Sequence, residues 1–130
     1  MPYEAFVFDH SFKAAADLTT KQFYLVKLTA ADTVGLTAAV TDATIGVLQN
    51  KPNTAQAAQV RILGISKVVS DGSSTAIAVG DKLATNTSGK VVKNTTSGRP
   101  IVGTALNAST TDGGIISVLL TPNTHYATPA

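Results

Sequence analysis

The chain has no cysteine and no tryptophan, and these absences exclude several kinds of site. Without cysteine there is no disulfide framework, no thiolate nucleophile and no cysteine-ligated zinc. Aromatic residues make up only 5% of the 130 residues, whereas 44% are hydrophobic. The sequence therefore predicts one domain with a core of small aliphatic side chains.

The charge is low and evenly spread. Ten basic and eight acidic residues give a formal net charge of +2, and the lysines lie along the whole chain rather than in a cluster. This distribution argues against binding to nucleic acid. No apolar run approaches the roughly 18 residues of a membrane span, and the N-terminus lacks the pattern of a signal peptide. We expect a soluble chain with neither nucleic acid nor membrane as a partner.

Short segments with a period of two dominate the sequence, and turn residues such as Gly, Asn, Asp and Ser separate them. These segments are Phe23–Thr29, Thr44–Gln49, Gln59–Val69, Lys82–Thr85, Lys90–Lys93, Ile101–Asn107 and Ile115–Thr121. The pattern predicts an all-β fold, with strands curled into a small compact barrel so that few edges stay exposed. One helical candidate, Ala14–Leu18, is too short to change this prediction.

Two segments of the chain resemble each other. The sequence "IGVLQN" at Ile45–Asn50 is similar to "VGTALN" at Val102–Asn107, and each precedes a polar loop and an apolar strand. Six residues leave two interpretations open, namely a structural repeat and a chance similarity.

No catalytic or metal-binding pattern emerges. Asp9, His10 and Ser11 include the residue types of a hydrolase triad, but consecutive residues in a strand point alternately to opposite faces. His125 is the only other histidine, and the acidic residues beside turns are better explained as turn formers. We expect no catalytic, cofactor or metal site, and no enzymatic activity.

Three segments in a fixed order carry a family resemblance: "IGVLQNKPNTAQAAQVRILGISKVV", "AIAVGDKLATNTSGKVVK" and "RPIVGTALNASTTDGGIISVLL". In this order they resemble the small capsid decoration, or cement, proteins of tailed bacteriophages. The match covers roughly residues 43–120, and the order and spacing of the segments carry it.

The resemblance implies a compact β-barrel or β-tulip domain, commonly a homotrimer, with an extended N-terminal arm. Such a protein binds the major capsid protein on the outer surface of the phage head and bridges neighbouring capsid subunits. It would be found on the virion, and in the host cytoplasm during assembly. The corresponding division of the chain is an arm or first strand at 1–22, a barrel at 23–121 and a tail at 122–130.

Four of the seven aromatic residues lie near the N-terminus: Tyr3, Phe6, Phe8 and Phe12. The last three would share one face of an extended segment. They are either core residues of a first strand or anchors of an arm that contacts the capsid or another subunit.

A structural cement protein is therefore the expected function. A small ligand-binding barrel, such as a carbohydrate-binding module, is an alternative, although the lack of tryptophan argues against sugar stacking. An oligomeric enzyme with a site between chains is a third possibility.

Overall fold

The structure is a computed structural model that describes residues 2–125, with the exception of the side chains of Phe6 and of residues 122–125. This part of the chain contains nine strands and no helix, so the predicted all-β class is confirmed. The strands are β1 (Ala5–Ala14), β2 (Leu25–Ala30), β3 (Thr33–Leu36), β4 (Gly46–Leu48), β5 (Ala57–Asp71), β6 (Lys82–Thr85), β7 (Val91–Lys93), β8 (Pro100–Ala105) and β9 (Asp112–His125).

Each of the seven predicted strand segments overlaps one of these strands. The short helical candidate Ala14–Leu18 instead leaves β1 and enters a bend. Strand β3 was not predicted, because its four residues include a glycine and show no clear alternation. It forms as the hairpin partner of β2, with Asp32 in the left-handed region (φ 52°) at the turn.

Strand β5 belongs to two closed rings of strands. One ring has the order β1-β3-β2-β4-β5 and closes through the β1–β5 pair. The other has the order β5-β7-β6-β8-β9 and closes through the β5–β9 pair. Gly64 lies where the pairing of β5 changes from β1 to β9, and its φ of 108° is a conformation that side-chain-bearing residues rarely adopt.

The N-terminal segment is part of this architecture. β1 pairs antiparallel with β5 from Ala5 to Lys13. An extended N-terminal arm is therefore not confirmed for these residues, which form the first strand of the first ring.

The two rings have the same topology, and we call them repeat 1 (β1 to β4 with residues 57–63 of β5) and repeat 2 (residues 64–71 of β5 with β6 to β9). In each repeat the first strand pairs parallel with the third and antiparallel with the last. The second strand pairs antiparallel with both the third and the fourth.

The registers assign many paired residues of one repeat an equivalent in the other. Gly46 of β4 lies opposite Val26, and Gly103 of β8 lies opposite Leu83. Further equivalent pairs from the registers and hydrogen bonds are Phe23 and Gly80, Leu25 and Lys82, Val34 and Val91, Asn50 and Asn107, Gln59 and Ser117, and Val60 and Val118.

Local details are repeated as well. Asn50 Oδ1 accepts a hydrogen bond from the amide of Gln59 (3.0 Å), and Asn107 Oδ1 accepts one from the amide of Ser117 (2.8 Å). Both asparagines end the two similar sequence segments. The similarity between "IGVLQN" and "VGTALN" is therefore structural rather than accidental.

The repeats are stacked on each other. Val26, Leu48 and Val60 lie in the core of repeat 1, whereas Leu25 and Val47, on the opposite face of β2 and β4, belong to the core of repeat 2. Strand β4 and the first two residues of β2 are thus buried on both faces. Full burial of such a side chain contributes about 1.5–3 kcal/mol to stability.

Gly46 and Gly103 allow the fourth strand of each repeat to lie close to the last strand, and neither position should tolerate a side chain. A Cβ at Gly46 would lie 2.3 Å from the carbonyl oxygen of Arg61, and one at Gly103 would lie 2.2 Å from that of Leu119. We expect Gly46→Ala and Gly103→Ala each to lower the free energy of unfolding by about 1–3 kcal/mol or more, because backbone atoms must move.

Gly35→Ala is the matched control. Its Cβ would lie 3.1 Å from the end of the Thr29 side chain and at an ordinary 3.7 Å from the Cβ of Ala15, and the equivalent position in repeat 2 is Val92. We expect a loss below about 1 kcal/mol. Urea unfolding of the three variants measures the difference, and equal midpoints for all three would contradict the close approach.

Candidate functional site

Asp9, His10 and Ser11 lie on alternate faces of β1 and do not come together. Asp9 pairs with Arg61, and the hydroxyl of Ser11 donates to Oε1 of Gln59 (2.7 Å). His10 points to the opposite face of β1, where it contacts the rings of Phe8 and Phe12. Among the described residues no group of three or more His, Cys, Asp or Glu side chains could hold a metal ion.

One face of repeat 2 carries exposed aliphatic side chains among polar ones, and we call it the trailing face. Directly opposed residues of an antiparallel pair share a face, and Ile65 is opposite Leu119 while Val69 is opposite Ile115. Leu119 is 44% exposed and Ile115 is 41% exposed. The face continues across β8 and β6 through Leu106, Thr104 and Lys82.

The positions equivalent to Ile65 and Leu119 are charged in repeat 1. Asp9 and Arg61 take the place of Ile65 and Leu119, and Ser11 takes the place of Lys67. The same backbone therefore accepts charged and polar side chains at these positions. Since the fold does not require exposed aliphatic residues there, the trailing face of repeat 2 is a candidate interaction surface.

Arg61 fixes the N-terminal segment to β5. Its Nε donates to Oδ1 of Asp9 (2.9 Å) and its Nη2 to Oδ2 (3.2 Å), while Nη1 donates to Oε2 of Glu4 (2.9 Å) and to the carbonyl of Ile65 (3.2 Å). The hydrogen bonds with Asp9, above all, raise the pKa of the guanidinium. The two-pronged contact with Asp9 also sets the orientation of both side chains.

The first described residues lie across the trailing face. The hydroxyl of Ser117 accepts a hydrogen bond from the amide of Tyr3 and donates one to the carbonyl of Tyr3 (2.8 Å). Ser117 is fully buried, although its neighbours Ile115 and Leu119 on the same strand are exposed. Tyr3 itself remains 50% exposed beside them and extends the surface.

A second exposed surface lies at the other end of the molecule, and we call it the leading surface. Phe8, His10 and Phe12 form a ladder along β1, with ring centroids 6.3 Å and 4.8 Å apart. Phe12 packs on the core of repeat 1, whereas His10 is exposed and Phe8 is 46% exposed.

The four predicted contact residues are therefore divided. Tyr3 lies at the trailing face, and Phe8 and Phe12 lie at the leading surface. The side chain of Phe6 is outside the described part of the structure. Their role as capsid or subunit contacts remains a prediction.

The aliphatic residues of the trailing face were missed by sequence reasoning. A signal was present in "IISVLL", where apolar residues occupy both faces of a strand. An antiparallel strand with one face in water normally alternates between apolar and polar residues. The departure from alternation at Ile115 and Leu119 marks a second buried or binding face.

The described chain is thus an all-β domain of two stacked repeats, with apolar surfaces at both ends. The model of the phage cement protein family matches residues 4–120, so the chain belongs to that family. The fold is similar to that of the head fiber gp8.5 N base in bacteriophage phi29, known from a crystal structure, with a TM-score of 0.68 and 19% identity. That similarity covers 88% of this chain and 93% of the other. No curated protein matches the chain.

Family membership confirms the predicted resemblance and supports a capsid decoration role. The match includes Glu4, Asp9 and Arg61, so the contact that fixes β1 lies within the family domain. No helix among residues 2–125 is long and apolar enough to cross a membrane.

Removal of the Arg61 guanidinium should destabilise the domain. Arg61→Met leaves Asp9, whose side chain is 13% exposed, without its cation. We expect the free energy of unfolding to fall by about 3–5 kcal/mol, because a buried charge loses its partner.

Lys90→Met is the control, since the partner of Lys90, Asp112, is 55% exposed. A surface pair contributes about 0–1 kcal/mol. Denaturant unfolding followed by circular dichroism separates the two cases. A loss for Arg61→Met no larger than that of the control would contradict a structural role for the cluster.

Proposed function

We propose that this chain is a capsid decoration protein that binds the major capsid protein on the outer surface of a phage head. It bridges neighbouring capsid subunits and stabilises the shell, and it has no enzymatic activity. Its match to the phage cement protein family over residues 4–120 carries this proposal. The protein works on the virion, and it is present in the host cytoplasm before it joins the head.

The surfaces of the domain support a role in binding to other proteins. Tyr3, Ile115 and Leu119 are exposed on one side and Phe8 on another. The centres of protein interfaces are enriched in aromatic residues and poor in charge, and a few buried anchors supply most of the affinity. Side chains of this kind at both ends allow one copy to touch more than one neighbour.

The proposed assembly is a homotrimer. Identical copies related by a rotation axis bury the same surfaces on every subunit, which removes exposed apolar area from water. A trimer also presents several capsid-binding surfaces at once. Binding at several linked points is much tighter than binding at one, because every contact after the first is intramolecular.

Decorated heads should resist heat better than bare heads. A protein that binds the closed shell and not the ruptured one shifts the equilibrium toward the closed shell. We expect heads that lack this protein to rupture at a lower temperature, and addition of the purified chain to restore the higher temperature. Release of DNA, followed with an intercalating dye during heating, measures both temperatures.

Bare heads mixed with an equal mass of serum albumin are the control. Sedimentation of the same samples shows whether the chain is bound. A chain that does not sediment with the heads would contradict capsid binding. A chain that binds without changing the rupture temperature would contradict the stabilising role but not capsid binding.

A further inference from the structure

The contact between the two repeats suggests how two copies of the chain meet. Within one chain, Leu25 and Val47 of repeat 1 enter the core of repeat 2. Beside them, Nε2 of Gln49 donates to Oγ of Ser66 (2.9 Å), and Ser66 and Val68 are fully buried. The face of repeat 1 that is equivalent to the trailing face, formed by Leu25, Val47 and Gln49, thus covers the first strand of repeat 2.

Each side of this contact has an unoccupied equivalent at an end of the molecule. Ser66 and Val68 correspond to His10 and Phe12 of the leading surface, because their registers with the last strand of each repeat match. No repeat precedes repeat 1 among the described residues, and His10 is accordingly exposed.

The covering side of the contact, formed by repeat 1, has its equivalent in the trailing face of repeat 2. Leu25, Val47 and Gln49 correspond there to Lys82, Thr104 and Leu106. Lys82 is exposed and Thr104 and Leu106 are half-buried, and the exposed residues Ile115 and Leu119 lie beside them.

We propose that the trailing face of repeat 2 in one copy packs on the leading surface of repeat 1 in a second copy, so that the contact inside the chain is repeated between chains. This inference rests on the self-association proposed above. In this contact Thr104, Leu106 and Leu119 of one copy face Phe8 and His10 of the next copy.

The two ends are chemically complementary. Aromatic rings at the leading surface offer apolar area to the leucines of the trailing face. Lys82 brings a cation that aromatic faces attract. Stacked repeats normally end in polar capping units, because an uncovered end exposes core-like residues. This chain has apolar residues at both ends, and one neighbouring copy covers each end.

A contact of this type joins different surfaces of identical copies, so it forms a closed ring when the rotation between copies closes and a filament when it does not. In a closed trimer, the contact within the chain and the contact between chains alternate around the axis. Such a ring contains no uncovered repeat end.

Cysteine cross-linking tests the proposal directly, because the natural sequence contains no cysteine. His10→Cys and Leu106→Cys are placed in separate copies that carry different tags and are co-expressed, so that no disulfide can form within one chain. Mild oxidation should then yield a covalent dimer that contains both tags. Thr41→Cys, at an exposed position outside both surfaces, replaces His10→Cys in the matched control and should yield none.

The outcomes separate this proposal from the proposed function. A dimer between two His10→Cys copies in place of the mixed dimer would overturn it, since like surfaces would then meet. Absence of any cross-link in a protein that light scattering shows to be trimeric overturns this contact and leaves the decoration role intact. A monomer that still binds heads overturns the contact and self-association together.

Substitutions at the two ends give a second, independent measurement. Leu119→Asp and the double variant Phe8→Ala/His10→Ser should each weaken self-association at least about tenfold, because they remove interface anchors. Ala108→Asp, at an exposed position, should leave it unchanged. Thermal unfolding checks that each variant is folded. A folded Leu119→Asp that associates like the natural chain would overturn the proposal.

Discussion

The whole structure depends on the continuity of β5. This strand runs for 15 residues and closes both rings, with β1 and β4 along its first part and β7 and β9 along its second. Neither repeat can complete its hydrogen bonding without it, and Leu25 and Val47 fill the core of repeat 2 only because the shared strand holds repeat 1 beside it. The fold is therefore one cooperative unit, although its topology is repeated.

The repeats keep the same backbone and differ in their surfaces. Glycine occupies the closest approach in both, and an asparagine binds the amide of the last strand in both. In contrast, the charged pair of Asp9 and Arg61 in repeat 1 is replaced by Ile65 and Leu119 in repeat 2. One repeat therefore fastens the N-terminal segment, while the other presents an apolar face.

Sequence reasoning recovered the strands with clear alternation and the all-β class, because both follow from local period and turn chemistry. It detected the repeat only as six similar residues. The remainder of the repeat is visible only in the backbone hydrogen bonds. Phe23 and Gly80, for example, share a positive φ and equivalent hydrogen bonds but have no side-chain similarity. The Arg61 cluster was also out of reach, since it joins residues far apart in the chain. The broken alternation of "IISVLL" marks a second apolar face, but whether Leu119 is exposed depends on which distant part of the chain packs against it.

The shared strand also determines how the domain carries force. When the two repeats are pulled apart, the load passes along the covalent backbone of β5 through Gly64, and it does not cross a non-covalent junction. Separation of the repeats then requires that one half of β5 shear from both of its neighbours at once, either β1 and β4 or β7 and β9, which resists load far better than opening the bonds one by one. A domain built in this way bears load as one unit rather than as two domains joined by a flexible linker. That mechanical property is consistent with membership of the phage cement protein family.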